Sequence, residues 1–238
     1  MVLLLNVGYN SAVSQDTGQV ALVPPNEDRG QYLQKLQADN CTLVLVDYLT
    51  GFNPAIRSID KDRFQKNVEA VAQLGQIFQL PTIVLGDEGG YRGQFYKVIK
   101  ELYADSTHIE RTTPSAWQME DLRNEVEARG NKKLILSGIS VDNCTMLTSL
   151  DAMAAGYEVY VVVDASGTTS ELVEDIAIDR LVQAGAVPIT WVTLGSELLT
   201  DWESPEGPKL GDLYAKMSPW GSADGEGSAN NDSDAKNE

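Results

Sequence analysis

Leu134-Ile135-Leu136-Ser137-Gly138-Ile139-Ser140-Val141-Asp142-Asn143-Cys144-Thr145 reads as a buried strand that stops at a glycine and turns into a capped helix. Its apolar run is continuous rather than alternating, as a strand covered on both faces requires. Ser140 or Asp142 is placed to act as N-cap, which sets Cys144 in the first helical turn. Unpaired N–H groups and the helix dipole favour a thiolate there, so the reading expects a cysteine pKa below about 8.5. The same N–H groups could hold an oxyanion.

The same alternation extends in both directions. Further strands read as Thr42–Asp47, Pro81–Gly86, Glu158–Asp164 and Val187–Val192, with a weaker one near Thr107–Ile109. Between the first two, Phe64, Val68, Val71, Gly75 and Phe78 recur at steps of four and three, one stripe of an amphipathic helix. Leu122 and Val126 begin a second stripe. Met146, Leu147, Leu150, Met153 and Ala154 form a third, and Val173, Ile176, Ala177, Leu181 and Ala184 a fourth. Gly130, Gly156 and Gly185 stand where such helices stop. Repeated βα units of this kind give an α/β domain with a mostly parallel sheet between two helical layers.

In that architecture ligands bind beyond the carboxyl ends of the strands, at Asp47, the Gly86–Gly93 loop, Gly138–Cys144, Asp164 and Thr193. The loop Gly86-Asp87-Glu88-Gly89-Gly90-Tyr91-Arg92-Gly93 has neither the GxGxxG spacing nor the GxxxxGK[ST] ending, so no nucleotide site is supported. It reads as a flexible segment that lets backbone approach a pocket. Asp47 closes Leu43-Val44-Leu45-Val46 at the sheet edge, where a carboxylate in a partly dry site can take a proton from a thiol and return it to a leaving amine. Arg111 cannot carry protons, but it can stabilise a thiolate or orient Asp47. Cys41 enters a strand and reads as inert.

Composition narrows the functional classes. Of 238 residues, 18 are Lys or Arg and 35 are Asp or Glu, a formal charge of −17 that disfavours nucleic acid and anionic membranes as partners. A tail from Pro219 to Glu238, rich in Gly, Ser, Asn and Asp, carries −4 of that charge and is expected to be disordered. Two distant cysteines suggest no disulfide framework, and a reducing, cytoplasmic setting fits. No stretch has the length and apolarity of a membrane span. The single histidine, His108, leaves little room for imidazole-based catalysis or for zinc.

Several pieces in order carry a resemblance. Leu43-Val44-Leu45-Val46-Asp47, Arg63-Phe64-x-x-Asn67-Val68, Leu80-Pro81-Thr82-Ile83, Arg111-x5-Trp117, Gly138-Ile139-x-x-Asp142-x-Cys144, Gly156-Tyr157-x-Val159-x-x-Val162-x-Asp164-Ala165-Ser166-Gly167 and Glu197-Leu198-x-x-Asp201-Trp202 together resemble the isochorismatase-like cysteine hydrolases, and more narrowly their YcaC-like branch. The resemblance implies a three-layer α/β/α domain of Rossmann-like topology over residues 41–203. Around it lie an N-terminal extension (1–40), a C-terminal extension (204–218) and the acidic tail (219–238).

It further implies a triad of Cys144 as nucleophile, Asp47 as acid/base and Arg111 where much of the superfamily has Lys. It implies a cis peptide between Ile139 and Ser140, with the N–H groups of Ser140 and Cys144 forming the oxyanion hole. Tyr48, Phe52, Tyr91 and Trp117 are the candidates for the pocket wall. The metal site of the nicotinamidase branch needs paired histidines, so no metal and no cofactor are expected. The implied activity is hydrolysis of a C–N bond in a small non-peptide amide by a homo-oligomer, with an octamer as the size the resemblance suggests. The alternatives are vinyl-ether hydrolysis of isochorismate and a non-catalytic scaffold with a vestigial site.

Overall fold

The computed structural model describes residues 33–219. The expected disorder of the acidic tail, from residue 220 on, and most of the N-terminal extension lie outside them. Six strands form one sheet: β1 (Cys41–Val46), β2 (Thr82–Leu85), β3 (Thr107–Ile109), β4 (Lys133–Gly138), β5 (Glu158–Val162) and β6 (Val187–Ile189). Their order is β3-β2-β1-β4-β5-β6, and every pairing is parallel.

Every residue of β1, β2 and β4 is buried, which is why their sequences are apolar without alternation. Successive side chains still point to opposite faces. Leu43 and Leu45 join Ile135, Tyr160 and Val162 in one half of the core, against α1 (Lys61–Ile77) and, later in the chain, Leu194, Leu198, Leu210 and Leu213. Val44 and Val46 join Leu134, Leu136, Val159 and Val161 in the other half, where α3 (Glu120–Arg129) brings Leu122 and Val126. That half also receives Met146 and Ala152 from α4 (Cys144–Ala154), and Ala177 and Leu181 from α5 (Glu171–Ala184). The remaining helices are α2 (Lys97–Leu102), α6 (Trp191–Leu198) and α7 (Gly207–Met217). The result is the three-layer α/β/α fold expected.

Local chemistry sets the helix ends. Asp60 caps α1 through the Arg63 N–H, Ser170 caps α5 through Val173, and Thr190 caps α6 through Thr193. That last cap ends β6 at Ile189, short of the expected Val192. Gly130 and Gly185 close α3 and α5 in the left-handed conformation.

Two helix stripes differ from the sequence reading. In α4 the buried side holds Thr145, Thr148, Ser149 and Ala152 beside Met146, while Leu147, Leu150 and Met153 are only partly buried. Small hydroxyl residues can be buried there because each finds a partner: Thr145 donates to the Gly138 carbonyl, Ser149 to the Thr145 carbonyl, and Thr148 accepts from the Ala116 N–H. In α5, Ile176 stands exposed with Leu172, and only Ala177 and Leu181 are buried.

Segments flanking the expected domain join the same core. Leu36 is buried, its N–H donates to Glu197, and the buried Lys133 ammonium binds the carbonyls of Gln34 and Lys35. At the other end α7 buries Leu210 and Leu213.

Candidate active site

Sheet order reverses between β1 and β4, the neighbours from which the chain winds outward in opposite directions, and a crevice opens beyond their carboxyl ends. Register pairs Val46 with Gly138, so the next residues of the two strands, Asp47 and the Ile139–Cys144 turn, stand side by side. A Cβ on Gly138 would overlap the Val46 carbonyl oxygen, so this close approach requires glycine. The Ser166 hydroxyl accepts from the Gly138 N–H and donates to the Val162 carbonyl, while Thr145 holds the Gly138 carbonyl. Between them the strand end is fixed from both sides.

The turn that follows contains the cis peptide Ile139–Ser140 that the resemblance implied. Neither Ser140 nor Asp142 caps α4 with its side chain. Asn143 occupies the cap position without a side-chain bond, and the Ser140 carbonyl instead closes the turn by accepting from the Asn143 and Thr145 N–H groups. Asp142 is drawn away to accept from the Thr168 hydroxyl at 2.5 Å. Among the described residues, the N–H groups of Ser140 and Cys144 meet no backbone acceptor, which leaves them available to a ligand oxygen.

Asp47 is 3% exposed and adopts a positive φ of 49°, outside the strand conformation of β1. Its N–H still bonds the Leu85 carbonyl, and glycine at position 86 leaves room for its carboxylate. Arg111 grips that carboxylate with two nitrogens, Nε to Oδ1 at 3.2 Å and Nη2 to Oδ2. The same Nη2 lies 2.7 Å from Cys144 Sγ. Its Nη1 donates to the Thr113 carbonyl at 2.6 Å, so the guanidinium is held in one orientation by the loop that carries it. The structure thus brings the three expected residues together.

Their electrostatics differ from the expectation for Cys144. Burial and the neighbouring Asp47 carboxylate push the thiol up to about 11, and Arg111 offsets only part of this. In the resting site Cys144 is therefore a thiol, because a helix start cannot outweigh a dry environment and an adjacent anion. Burial works against the charge of Arg111, yet its contacts with Asp47 and Cys144 hold its pKa above the usual arginine range. Cys41 is pushed up to about 12 by burial, in keeping with its inert reading.

A cavity of about 280 Å³ opens over Asp47, Arg111 and Cys144. Phe52 and Tyr91 line it as expected, their rings edge to face with centroids 6.4 Å apart. Tyr48 and Trp117 do not. Tyr48 follows the reversed backbone of Asp47 into the core, where its hydroxyl bonds Ser137 and the Ala165 carbonyl. Trp117 is buried against the edge of Tyr157.

Sequence reasoning passed over Asp87, Arg92, Thr112, Thr113, Pro114 and Asn143, which complete the lining. The signal for Asp87 and Arg92 was the glycine loop itself. Gly51 and Gly93 let residues 91–93 pack directly on residues 50–51, which brings Tyr91 to Phe52. His108 plays no part here: its Nε2 contacts the Tyr103 carbonyl at 2.8 Å and its ring packs on Phe95. Asp164 is likewise structural, accepting from the Trp191 N–H while its carbonyl accepts from Asn67. Among the described residues, no three His, Cys, Asp or Glu side chains gather as a metal-binding group.

Comparison with known proteins agrees with this geometry. The family model for the isochorismatase domain matches residues 41–193. The Escherichia coli (strain K12) protein named Probable hydrolase YcaC is 37% identical over 172 residues, covering 71% of this chain and 83% of that one. The structure of YcaC from Pseudomonas aeruginosa, solved with hexane-2,5-diol and covalent acrylamide, superposes with a TM-score of 0.75 at 34% identity, over 79% of this chain and 94% of that one. The Escherichia coli YcaC structure, described as an octameric hydrolase of unknown specificity, gives a TM-score of 0.74 at 35% identity, over 78% and 91% of the two chains.

Proposed function

The chain belongs to the isochorismatase family as a hydrolase of its YcaC-like branch, and on that premise we propose that it cleaves the C–N bond of a small non-peptide amide through a thioester on Cys144. The observation that carries this reading is the Arg111 guanidinium shared between the Asp47 carboxylate and Cys144 Sγ at the base of a small cavity.

With Cys144 a thiol at rest, attack requires a base, and Asp47 stands beside it, held by the same Arg111 nitrogen that contacts Sγ. As sulfur bonds to the amide carbon, its proton passes to Asp47 and the carbonyl oxygen gains the negative charge. The N–H groups of Ser140 and Cys144 receive that oxyanion. Asp47 then gives its proton to the nitrogen as the C–N bond breaks, releasing ammonia or an amine and leaving a thioester. Water, deprotonated by Asp47, attacks the thioester; the acid departs and the thiol is restored. Arg111 supplies constant positive charge and orients Asp47 throughout, a role that its fixed, bidentate geometry suits better than proton transfer.

The covalent acrylamide in the Pseudomonas aeruginosa relative supports a reactive nucleophile in this branch. The octameric relative supports a homo-oligomer for this chain, and light scattering at eight times its 25.9 kDa is the corresponding outcome. The reading also places the protein in a reducing, cytoplasmic setting that keeps the thiol free. Ammonia release from a panel of small amides, compared with Cys144→Ser, tests the activity. Turnover that survives in the variant contradicts the mechanism, and no turnover by either protein favours the vestigial scaffold.

A further inference from the structure

Among the described residues, the cavity over Cys144 contains four charged side chains, and they pair off completely. Arg111 is committed to Asp47 at the base, where the two side chains are 12% and 4% exposed. Nearer the mouth, Arg92 Nη1 lies 2.7 Å from Asp87 Oδ2, with exposures of 33% and 25%. Arg92 is further occupied by the Tyr91 ring, 5.1 Å from its guanidinium carbon to the centroid. The remaining lining is uncharged: the aromatic pair, Pro114, two threonines and Asn143.

A carboxylate entering this space finds no free cation among the described residues. To be held it must displace Asp87 from Arg92 or Asp47 from Arg111, and either exchange leaves an acidic side chain unpaired beside it. An uncharged group meets no such cost. The aromatic edge-to-face pair offers it apolar contact, while threonine and asparagine offer hydrogen bonds that need no charge.

We propose that the site selects amides whose acyl part is uncharged, and that Asp87 is a specificity-determining residue which enforces the choice by keeping Arg92 neutralised. The idea rests on the Cys144 reading for the reaction, but selection by charge is a property of the cavity and can be measured without turnover. It also weighs against isochorismate, which carries two carboxylates.

The test compares alkylation of Cys144 by iodoacetamide and iodoacetate, reagents of matched size that differ in charge. In each, sulfur displaces iodide at the same methylene and the thiol proton is lost. Rates are read from the Cys144 peptide by mass spectrometry and normalised to the same pair of reagents on free cysteine. Wild-type protein should prefer the neutral reagent at least tenfold beyond free cysteine. Asp87→Asn should cut that preference to within threefold, and Asp179→Asn, exposed on α5 outside the cavity, should leave it unchanged. Equal normalised rates in wild type, or equal effects of the two variants, would overturn the proposal.

A second arm measures ammonia from succinamide against succinamate, with the neutral diamide expected to be faster at least tenfold. Charge-selective alkylation with neither amide hydrolysed would support the selection and count against the amidohydrolase reading. Hydrolysis of succinamate at the rate of succinamide would overturn the selection and leave the amidohydrolase reading standing.

Discussion

Arg111 Nη2 lies 2.7 Å from Cys144 Sγ while the same guanidinium grips both oxygens of Asp47. One cation therefore serves the Asp47 carboxylate in the resting site and would serve a thiolate that forms only during attack. The consequence is a nucleophile that rests protonated: Asp47 raises the thiol more than Arg111 lowers it. On the proposed mechanism, reactivity toward an amide then depends on transferring the proton to Asp47, not on a standing pool of thiolate.

Alkylation against pH separates these two behaviours. For Cys144 the iodoacetamide rate should climb about tenfold per pH unit through pH 10, toward a midpoint near its pKa of about 11. A plateau by pH 9 would contradict the assignment. Asp47→Asn removes the neighbouring anion, so alkylation at pH 8 should rise several-fold, while amide hydrolysis falls by about 10²-fold or more with loss of the acid/base. Parallel loss of both rates would show instead that Asp47 merely supports the local structure.

Arg111→Leu leaves the Asp47 carboxylate buried and unpaired, a change that costs about 3–5 kcal/mol when the partner of a buried ion is removed. Urea denaturation should show that loss at neutral pH. Arg111→Lys should restore part of the stability while hydrolysis stays reduced, because an ammonium cannot match the two-pronged grip on Asp47. Full activity in the Leu variant would remove Arg111 from the account.

Gly138→Ala tests the close contact of β4 with β1. The added methyl overlaps the Val46 carbonyl, and a core strained in this way loses about 1–3 kcal/mol. Denaturant unfolding within 0.5 kcal/mol of wild type, roughly the scale of a neutral surface change, would show that the turn has slack.

Asp164 gives a pH-dependent stability. Burial pushes its carboxyl up from 3.8 to about 6, so the folded chain holds this proton more tightly than the unfolded chain does. The contribution is full below pH 3.8 and is lost as pH rises to about 6. Asp164→Asn keeps an oxygen acceptor for the Trp191 N–H and removes the charge, so at pH 8 it should stabilise by about 1–3 kcal/mol. The gain should vanish near pH 4; an equal gain at both pH values would contradict this origin.

The strands were legible because β1 and β4 lie buried between two layers, which favours an apolar run without alternation. Asp47 and Cys144 were legible for a related reason, since the topology sends the ends of adjacent parallel strands to one crevice. Arg111 was legible as a residue able to stabilise a thiolate or orient Asp47, but nothing local in the sequence put it there: its place depends on the Thr113 carbonyl and on Asp47, 64 positions away. Tyr48 was misplaced because the backbone reversal at Asp47 has no sequence signature. The Cys144 pKa was misread because a helix start shows in sequence and the dryness around it does not. Asp87 and Arg92 escaped notice because loop charges look solvated until the glycines around them are seen packing on residues 50–51.

The most direct test of the central claim is mass spectrometry of protein quenched during turnover of a small neutral amide. The account predicts that the peptide containing Cys144 carries the acyl group, substrate less ammonia, and that the adduct accumulates when water is partly replaced by a poorer nucleophile. Ammonia release that continues with no acyl mass on Cys144, and that survives Cys144→Ala, would contradict it.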